Sequence, residues 1–152
     1  MMAQKIEIFS PASGKVLPLK EVPDEVFSAG LMGMGLAIAL DGSDWNIYAP
    51  LDALCSAVFP TGHAVALRHA GGLELLIHIG IESFREEGAF KKNVVENQQV
   101  MKGQKLISID PAFFPTQNPL VIFTLINGVQ FSFETNYKQV VSAGKTNLYT
   151  MY

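Results

Sequence analysis

The chain has 152 residues, of which 49% are apolar and 16% charged, with a net charge of −3. That length suits one domain, residues 1–152, able to bury a core without metal or disulfide. The acidic balance argues against nucleic acid, which selects a basic face. The single cysteine, Cys55, cannot pair internally and reads as a small core residue in a reducing compartment. The N-terminus carries no apolar signal core, and the longest apolar stretch, Phe27 to Leu40, is 14 residues long and broken by Gly30, Gly33 and Gly35. It is too short to span a bilayer, so a soluble, cytoplasmic protein is expected.

In chain order, alternating or β-rich runs occur at Lys5–Phe9, Lys15–Leu19, Leu36–Leu40, Trp45–Ala49, Leu54–Phe59, His63–Arg68, Leu73–Ile79, Lys105–Ile109, Leu120–Leu125, Val129–Phe133 and Lys145–Thr150. Turn residues separate them, among them Gly42-Ser43, Gly71-Gly72 and Asn127-Gly128. Asn-Gly between two such runs predicts a two-residue hairpin. Short helical turns are expected over Val22–Phe27, with Pro23 near the start, and after Asp110-Pro111. The pattern is all-β, a sandwich or barrel.

A faint internal echo accompanies it. Ser10-Pro11-Ala12-Ser13-Gly14 resembles Ala49-Pro50-Leu51-Asp52-Ala53, and Val100-Met101-Lys102-Gly103 resembles Val141-Ser142-Ala143-Gly144, at offsets of 39 and 41 residues. Two nearly equal offsets fit a duplicated β unit.

The chemistry concentrates around one turn. A hairpin centred between Ala70 and Gly71 sets His63 directly opposite His78 on one sheet face, with Cβ atoms about 4.5–5.5 Å apart. Two adjacent imidazoles cannot both be protonated cheaply, so one is neutral and nucleophilic while its neighbour can steady developing negative charge. Alternation places Thr61 beside His63, and Leu76 and Gly80 beside His78, with Gly80 offering space and a free N–H. His69 reads as a structural turn residue. From the residues alone three readings of the pair stand open. It can be structural, half of a metal site lacking a third ligand at suitable spacing, or a phosphoryl or acid–base centre. No nucleotide-binding glycine loop or serine or cysteine triad is present.

These segments resemble the glucose-type enzyme IIA domain of the bacterial phosphoenolpyruvate-dependent sugar phosphotransferase system. The resemblance rests on Ser10-Pro11-Ala12-Ser13-Gly14, Val22-Pro23-Asp24-Glu25-Val26-Phe27, Gly33-Met34-Gly35-Leu36-Ala37-Ile38, Ala49-Pro50, Phe59-Pro60-Thr61-Gly62-His63-Ala64 and Leu76-Ile77-His78-Ile79-Gly80-Ile81, and covers nearly the whole chain. It implies an antiparallel β-sandwich, or flattened barrel, of duplicated hybrid-motif type. It implies that His78 is the phosphoacceptor, on Nε2, that His63 steadies the phosphoryl group and that Thr61 supports His63. Phosphocarrier protein HPr is the implied donor and a IIB domain of a membrane sugar permease the acceptor, with membrane contact only through the permease and no cofactor or metal. Phe27, Leu31, Met32, Phe59, Leu76 and Phe84 match the family's docking surround, with Glu82 at its rim. Two positions depart from the family pattern: Met34 stands where many relatives carry an acid, and Glu82 where aspartate is usual. Those departures leave an alternative, a regulatory binding module of the same fold with weak or lost transfer. The amphipathic N-terminal tail of some free-standing relatives is missing, so no independent membrane anchoring is expected.

Overall fold

The computed structural model describes residues 5–81 and 87–152. Among these the chain forms fourteen strands: β1 (Ile6–Phe9), β2 (Gly14–Pro18), β3 (Met34–Leu40), β4 (Asn46–Tyr48), β5 (Ala53–Val58), β6 (Ala64–Arg68), β7 (Glu74–Ile79), β8 (Phe90–Lys92), β9 (Gln99–Val100), β10 (Lys105–Ile109), β11 (Leu120–Leu125), β12 (Phe133–Thr135), β13 (Val140–Val141) and β14 (Asn147–Met151). One α-helical turn, α1 (Glu25–Ser28), lies between β2 and β3.

The strands make an antiparallel eight-stranded sheet, β13-β2-β3-β11-β7-β6-β5-β9, and two three-stranded sheets, β1-β14-β12 and β4-β10-β8. Alternation along the central strands decides what each face does. Leu36, Ile38, Val65, Leu67, Leu75, Ile77, Ile79, Val121, Phe123 and Leu125 point inward and pack with Ile8, Ile47, Leu106, Ile107, Leu148 and Met151 of the small sheets into one core. The intervening residues, Ala37, Ala64, Leu76 and Ile122, face the other way and meet Val22 and Phe27, forming a second, smaller cluster under α1. The large sheet is therefore apolar on both faces at its centre, which is why Leu120–Leu125 reads as a continuous apolar run rather than a clean alternation.

The internal echo is a structural duplication. Read from either end, the large sheet has the same construction: β13, β2, β3 and β11 correspond to β9, β5, β6 and β7, and the small sheets match as β1-β14-β12 to β4-β10-β8. The correspondence extends to single hydrogen bonds. Ser10 O accepts from Gly144 N and Ala49 O from Gly103 N, both at 2.9 Å, while Val16 N donates to Gln139 O and Cys55 N to Gln98 O. Ser13 Oγ accepts from Ala143 N as Asp52 Oδ1 accepts from Lys102 N.

Asn127-Gly128 does not form the expected hairpin. β11 pairs with β3 and β7, and Gly128–Gln130 is a 3-10 turn leading away. The Asn127 side chain has other partners: its Oδ1 accepts from Glu74 N at 2.8 Å and its Nδ2 donates to Gly72 O at 2.9 Å. The short helical turns are present. Asp24 Oδ1 caps α1, accepting from Val26 N and Phe27 N, and Asp110 caps a 3-10 turn at Pro111–Phe113. Pro23 precedes the α1 cap rather than standing inside the helix. Cys55 is buried in the core, where desolvation raises its thiol pKa.

Candidate functional site

His78 lies near the end of β7 with its side chain on the face under α1. The register differs from the expected one by a single residue: Ala64, not His63, is the partner of His78. The loop between β6 and β7 is one residue off-centre because His69 closes it, with His69 N donating to Leu73 O, Gly72 N to His69 O, and Gly71 N to His69 Nδ1. Strict alternation from Ala64 would send His63 into the main core. It escapes because it precedes the regular strand, in a bend entered through Gly62 at φ 81°. A Cβ on Gly62 would sit 3.1 Å from the Phe90 Cβ, and its left-handed backbone favours glycine independently. His63 O then accepts from Ile79 N at 2.7 Å, which locks the bend to β7.

The outcome preserves the juxtaposition by a different route. The His63 and His78 ring centroids are 5.2 Å apart with ring planes at 83°. Phe59 stands edge-on to His63 at 5.4 Å, and Phe27 lies against His78 at 5.0 Å with a 55° tilt. Four rings thus run in series, Phe27, His78, His63, Phe59.

The electrostatics follow from this packing. His63 is 7% exposed, and burial lowers its pKa. His78 remains partly exposed, yet its pKa falls to about 4, first through desolvation and then through the positive charge His63 would carry. The Gly80 backbone and the Asp24 carboxylate oppose that shift without cancelling it. His78 is therefore a neutral imidazole at physiological pH. Its Nδ1 is buried, so Nε2 is the nitrogen left facing the surface.

The other predicted residues divide. Thr61 is half-buried in the turn before Gly62. Leu31, just past α1, is 73% exposed, and Phe59, 39% exposed, stands against His63; Met32 is half-buried. Phe27 and Leu76 are 7% and 5% exposed, because both belong to the cluster beneath α1, and they offer a partner almost no surface. Glu82 and Phe84 lie outside the described residues. Gly80 N is not free: it donates to Leu120 O at 2.7 Å, closing the sheet edge beside the site. Met34 turns toward the main core, with its Cγ and Sδ filling the space over Gly128, and so does not present a side chain to the docking face. Sequence reasoning missed the role of Asp24, whose cap fixes the helix that carries Phe27; an Asp three residues before an aromatic at a helix start is the signal that could have revealed it.

Among the described residues no group of three or more His, Cys, Asp or Glu is placed to hold a metal ion. Nor is any helix of these residues long and apolar enough to cross a membrane. A cleft of about 350 Å³ adjoins the site at Gly80, Ile81 and Phe113 but includes neither histidine. Of the two imidazoles, His78 is partly exposed and His63 is nearly buried beside it.

Residues 6–128 match the sequence model of the family described as phosphoenolpyruvate-dependent sugar phosphotransferase system, EIIA 1. The chain is 47% identical over 120 residues to the glucose-specific EIIBCA component of Corynebacterium glutamicum, covering 78% of this chain and 18% of that one. It is 42% identical over 118 residues to a mannose-specific EIIBCA component of the same species, covering 76% of this chain and 17% of that protein. It thus spans less than a fifth of the length of these curated relatives. The glucose permease IIA of Mycoplasma capricolum superposes with a TM-score of 0.84 at 27% identity, covering 98% of this chain and 97% of that one. With the duplicated β-sandwich and the paired imidazoles already in place, these matches make the chain a glucose-type EIIA domain of the sugar phosphotransferase system.

Proposed function

We propose that the domain is a phosphohistidine carrier in sugar uptake, with His78 as phosphoacceptor, HPr as donor and a IIB domain as acceptor. The observation that carries this reading is the pair of perpendicular imidazoles 5.2 Å apart, with His78 partly exposed and held neutral. In the forward step the Nε2 lone pair of His78 attacks phosphorus in line, an N–P bond forms, and the N–P bond to the donor's imidazole breaks. The donor ring keeps the electron pair of that bond. His63 steadies the equatorial oxygens of a loose, charge-dispersed transition state, with Thr61 supporting it. The second transfer reverses the roles. Relatives named as EIIBCA and EIICBA components support a IIB partner, because fusion holds donor and acceptor at high effective concentration. Leu31, Met32 and Phe59 supply the apolar contact for a brief encounter of modest area.

The test is phosphoryl uptake from phosphoenolpyruvate through the upstream proteins. His78→Ala is expected to take up no phosphate, and His63→Gln to accept it but pass little to a IIB domain. Uptake by His78→Ala would remove the assignment. The regulatory alternative loses one of its two motives, since Met34 faces the core rather than the docking surface.

A further inference from the structure

His63 belongs to a short loop that bridges two sheets. Phe59 N donates to Ala64 O at 3.0 Å and closes the loop, and Gly62 N donates to Phe59 O at 2.7 Å, which makes Phe59–Gly62 a four-residue turn. Pro60 and Thr61 are its central residues. Thr61 has a negative φ, because Asn97 is the only non-glycine residue with a positive one among those described. The turn is therefore type I, with proline in its favoured second place. The bond that closes such a turn uses the carbonyl of the first residue, so the carbonyl of the second must find a partner elsewhere. Pro60 O finds it far along the chain: Lys92 Nζ donates to it at 3.1 Å.

The strand beneath makes this contact firm. β8 pairs with β10, Phe90 opposite Ile109 and Lys92 opposite Ile107. Alternation puts Phe90 and Lys92 on one face and Lys91 on the other, and the Phe90–Lys92 face lies against the turn. A Cβ built on Gly62 would be 3.1 Å from both Lys92 Cγ and Phe90 Cβ, so the lysine stem covers the turn before its ammonium reaches Pro60 O. On the opposite side of the loop His63 O accepts from Ile79 N at 2.7 Å. The loop is thus tied to β7 of the large sheet through His63 and to β8 of a small sheet through Pro60. Thr61 and His63 lie between the two ties, and their backbone starts from the peptide that Lys92 holds.

Resting on the carrier reading for its kinetics, we propose that Lys92 is a positioning residue: its ammonium pins the Pro60–Thr61 peptide and so holds His63 where it steadies the phosphoryl group in transfer. Lys92 acts through the loop and touches neither partner protein. A small displacement of His63 weakens a donor aimed at the transition state and costs rate, while the affinity of a partner stays as it was.

The experiment compares Lys92→Met, which keeps the stem and removes the ammonium, with Lys92→Arg, which keeps a cationic donor, and with Lys91→Met, which removes the same charge from the opposite face. Two sets of readings are taken. One is kcat and KM for phosphoryl uptake from phospho-HPr at low and high salt. The other is hydrogen exchange of the Gly62 amide and NMR relaxation of the His63 ring in the unphosphorylated protein, with His69 as internal control. Lys92→Met is expected to lower kcat about fivefold with KM unchanged at either salt, and to speed Gly62 exchange and loosen the His63 ring. Lys92→Arg restores all of these, and Lys91→Met leaves them at the parent values. In a His63→Gln background Lys92→Met slows uptake no further, because the residue it acts through is gone. A salt-dependent rise in KM with kcat unchanged would make Lys92 a docking contact and overturn the proposal. So would an equal loss in Lys91→Met, a further fivefold loss in the His63→Gln background, or no change in folded Lys92→Met. Should the parent accept no phosphate, the carrier reading fails by itself, and the Gly62 and His63 measurements still decide whether Lys92 holds the loop.

Discussion

Burial keeps the His78 imidazole neutral down to about pH 4, against an ordinary value of 6.5. The stability consequence has a definite sign. Between these values the unfolded chain binds a proton that the folded chain refuses, so the free energy of unfolding rises with pH across that window. Stability is complete above about pH 6.5 and is lost as pH falls toward 4, by at most about 3 kcal/mol from this group. His78→Gln is expected to flatten the slope of Tm against pH in that window, and His63→Gln to shift its lower limit upward, because His63 contributes to the depression. The same neutrality predicts a single-turnover transfer rate without a break near pH 6.5, readable by rapid quench; a break there would show an ordinary imidazole. At this scale the sequence revealed which residues meet but not how. The imidazoles come together although their register is displaced by one, since a glycine bend frees His63 from strand alternation. The hydrogen bond that occupies Gly80 N and the inward turn of Met34 depend on contacts with Leu120 and Gly128, which no local pattern announces.

Most strands were legible because apolar alternation is itself the physical cause of burying one face. Lys105–Ile109 and Leu120–Leu125 match the observed limits, and most of the others shift by a residue or two at their ends. Val129–Phe133 is not the expected strand: it begins in the 3-10 turn Gly128–Gln130, and the strand there starts only at Phe133. β8, β9, β12 and β13 escaped notice, being two or three residues long, too short to carry a period. Asn127-Gly128 misled for a specific reason. A two-residue turn would need the Asn side chain only locally, whereas here both ends of its amide tie the β6–β7 loop to the end of β11. Removing two such bonds leaves a backbone donor and acceptor without their partner. Asn127→Ala is therefore expected to cost about 1–3 kcal/mol, measured by urea unfolding. Asn127→Asp keeps the acceptor for Glu74 N and is expected to lose less. An unchanged midpoint in Asn127→Ala would show that water replaces both bonds at no cost.

The two halves of the molecule are related element by element, yet only one carries the imidazoles. Ala64–His78 and Gly35–Thr124 are matching pairs in the large sheet, so Thr124 occupies the counterpart of His78, and Met34 that of His63. One unit, β4 through β10, is continuous in the chain and interrupts the other, which resumes at β11. The interruption is a matter of connectivity alone: β1 and β14 pair side by side, with Ile6 opposite Met151. Paired antiparallel residues lie about 5 Å apart, so a short linker can join the ends. The counterpart of the break between β14 and β1 lies just before β4, in the exposed turn at Asp41, Gly42 and Ser43. A permuted chain that begins at Asp44 and ends at Ser43 keeps every strand pairing and keeps Asp44 as the cap over Asn46. It is expected to fold with Tm within a few degrees of the parent and with the same acid-side slope from His78, since exposed turns tolerate reconnection. A chain opened instead between Ala70 and Gly71 separates β6 from β7 and removes the link that brings the two histidine strands together early. It is expected to fold more slowly, because that contact becomes non-local. Failure of the first permutant with success of the second would mean that the duplicated halves are not interchangeable as folding units.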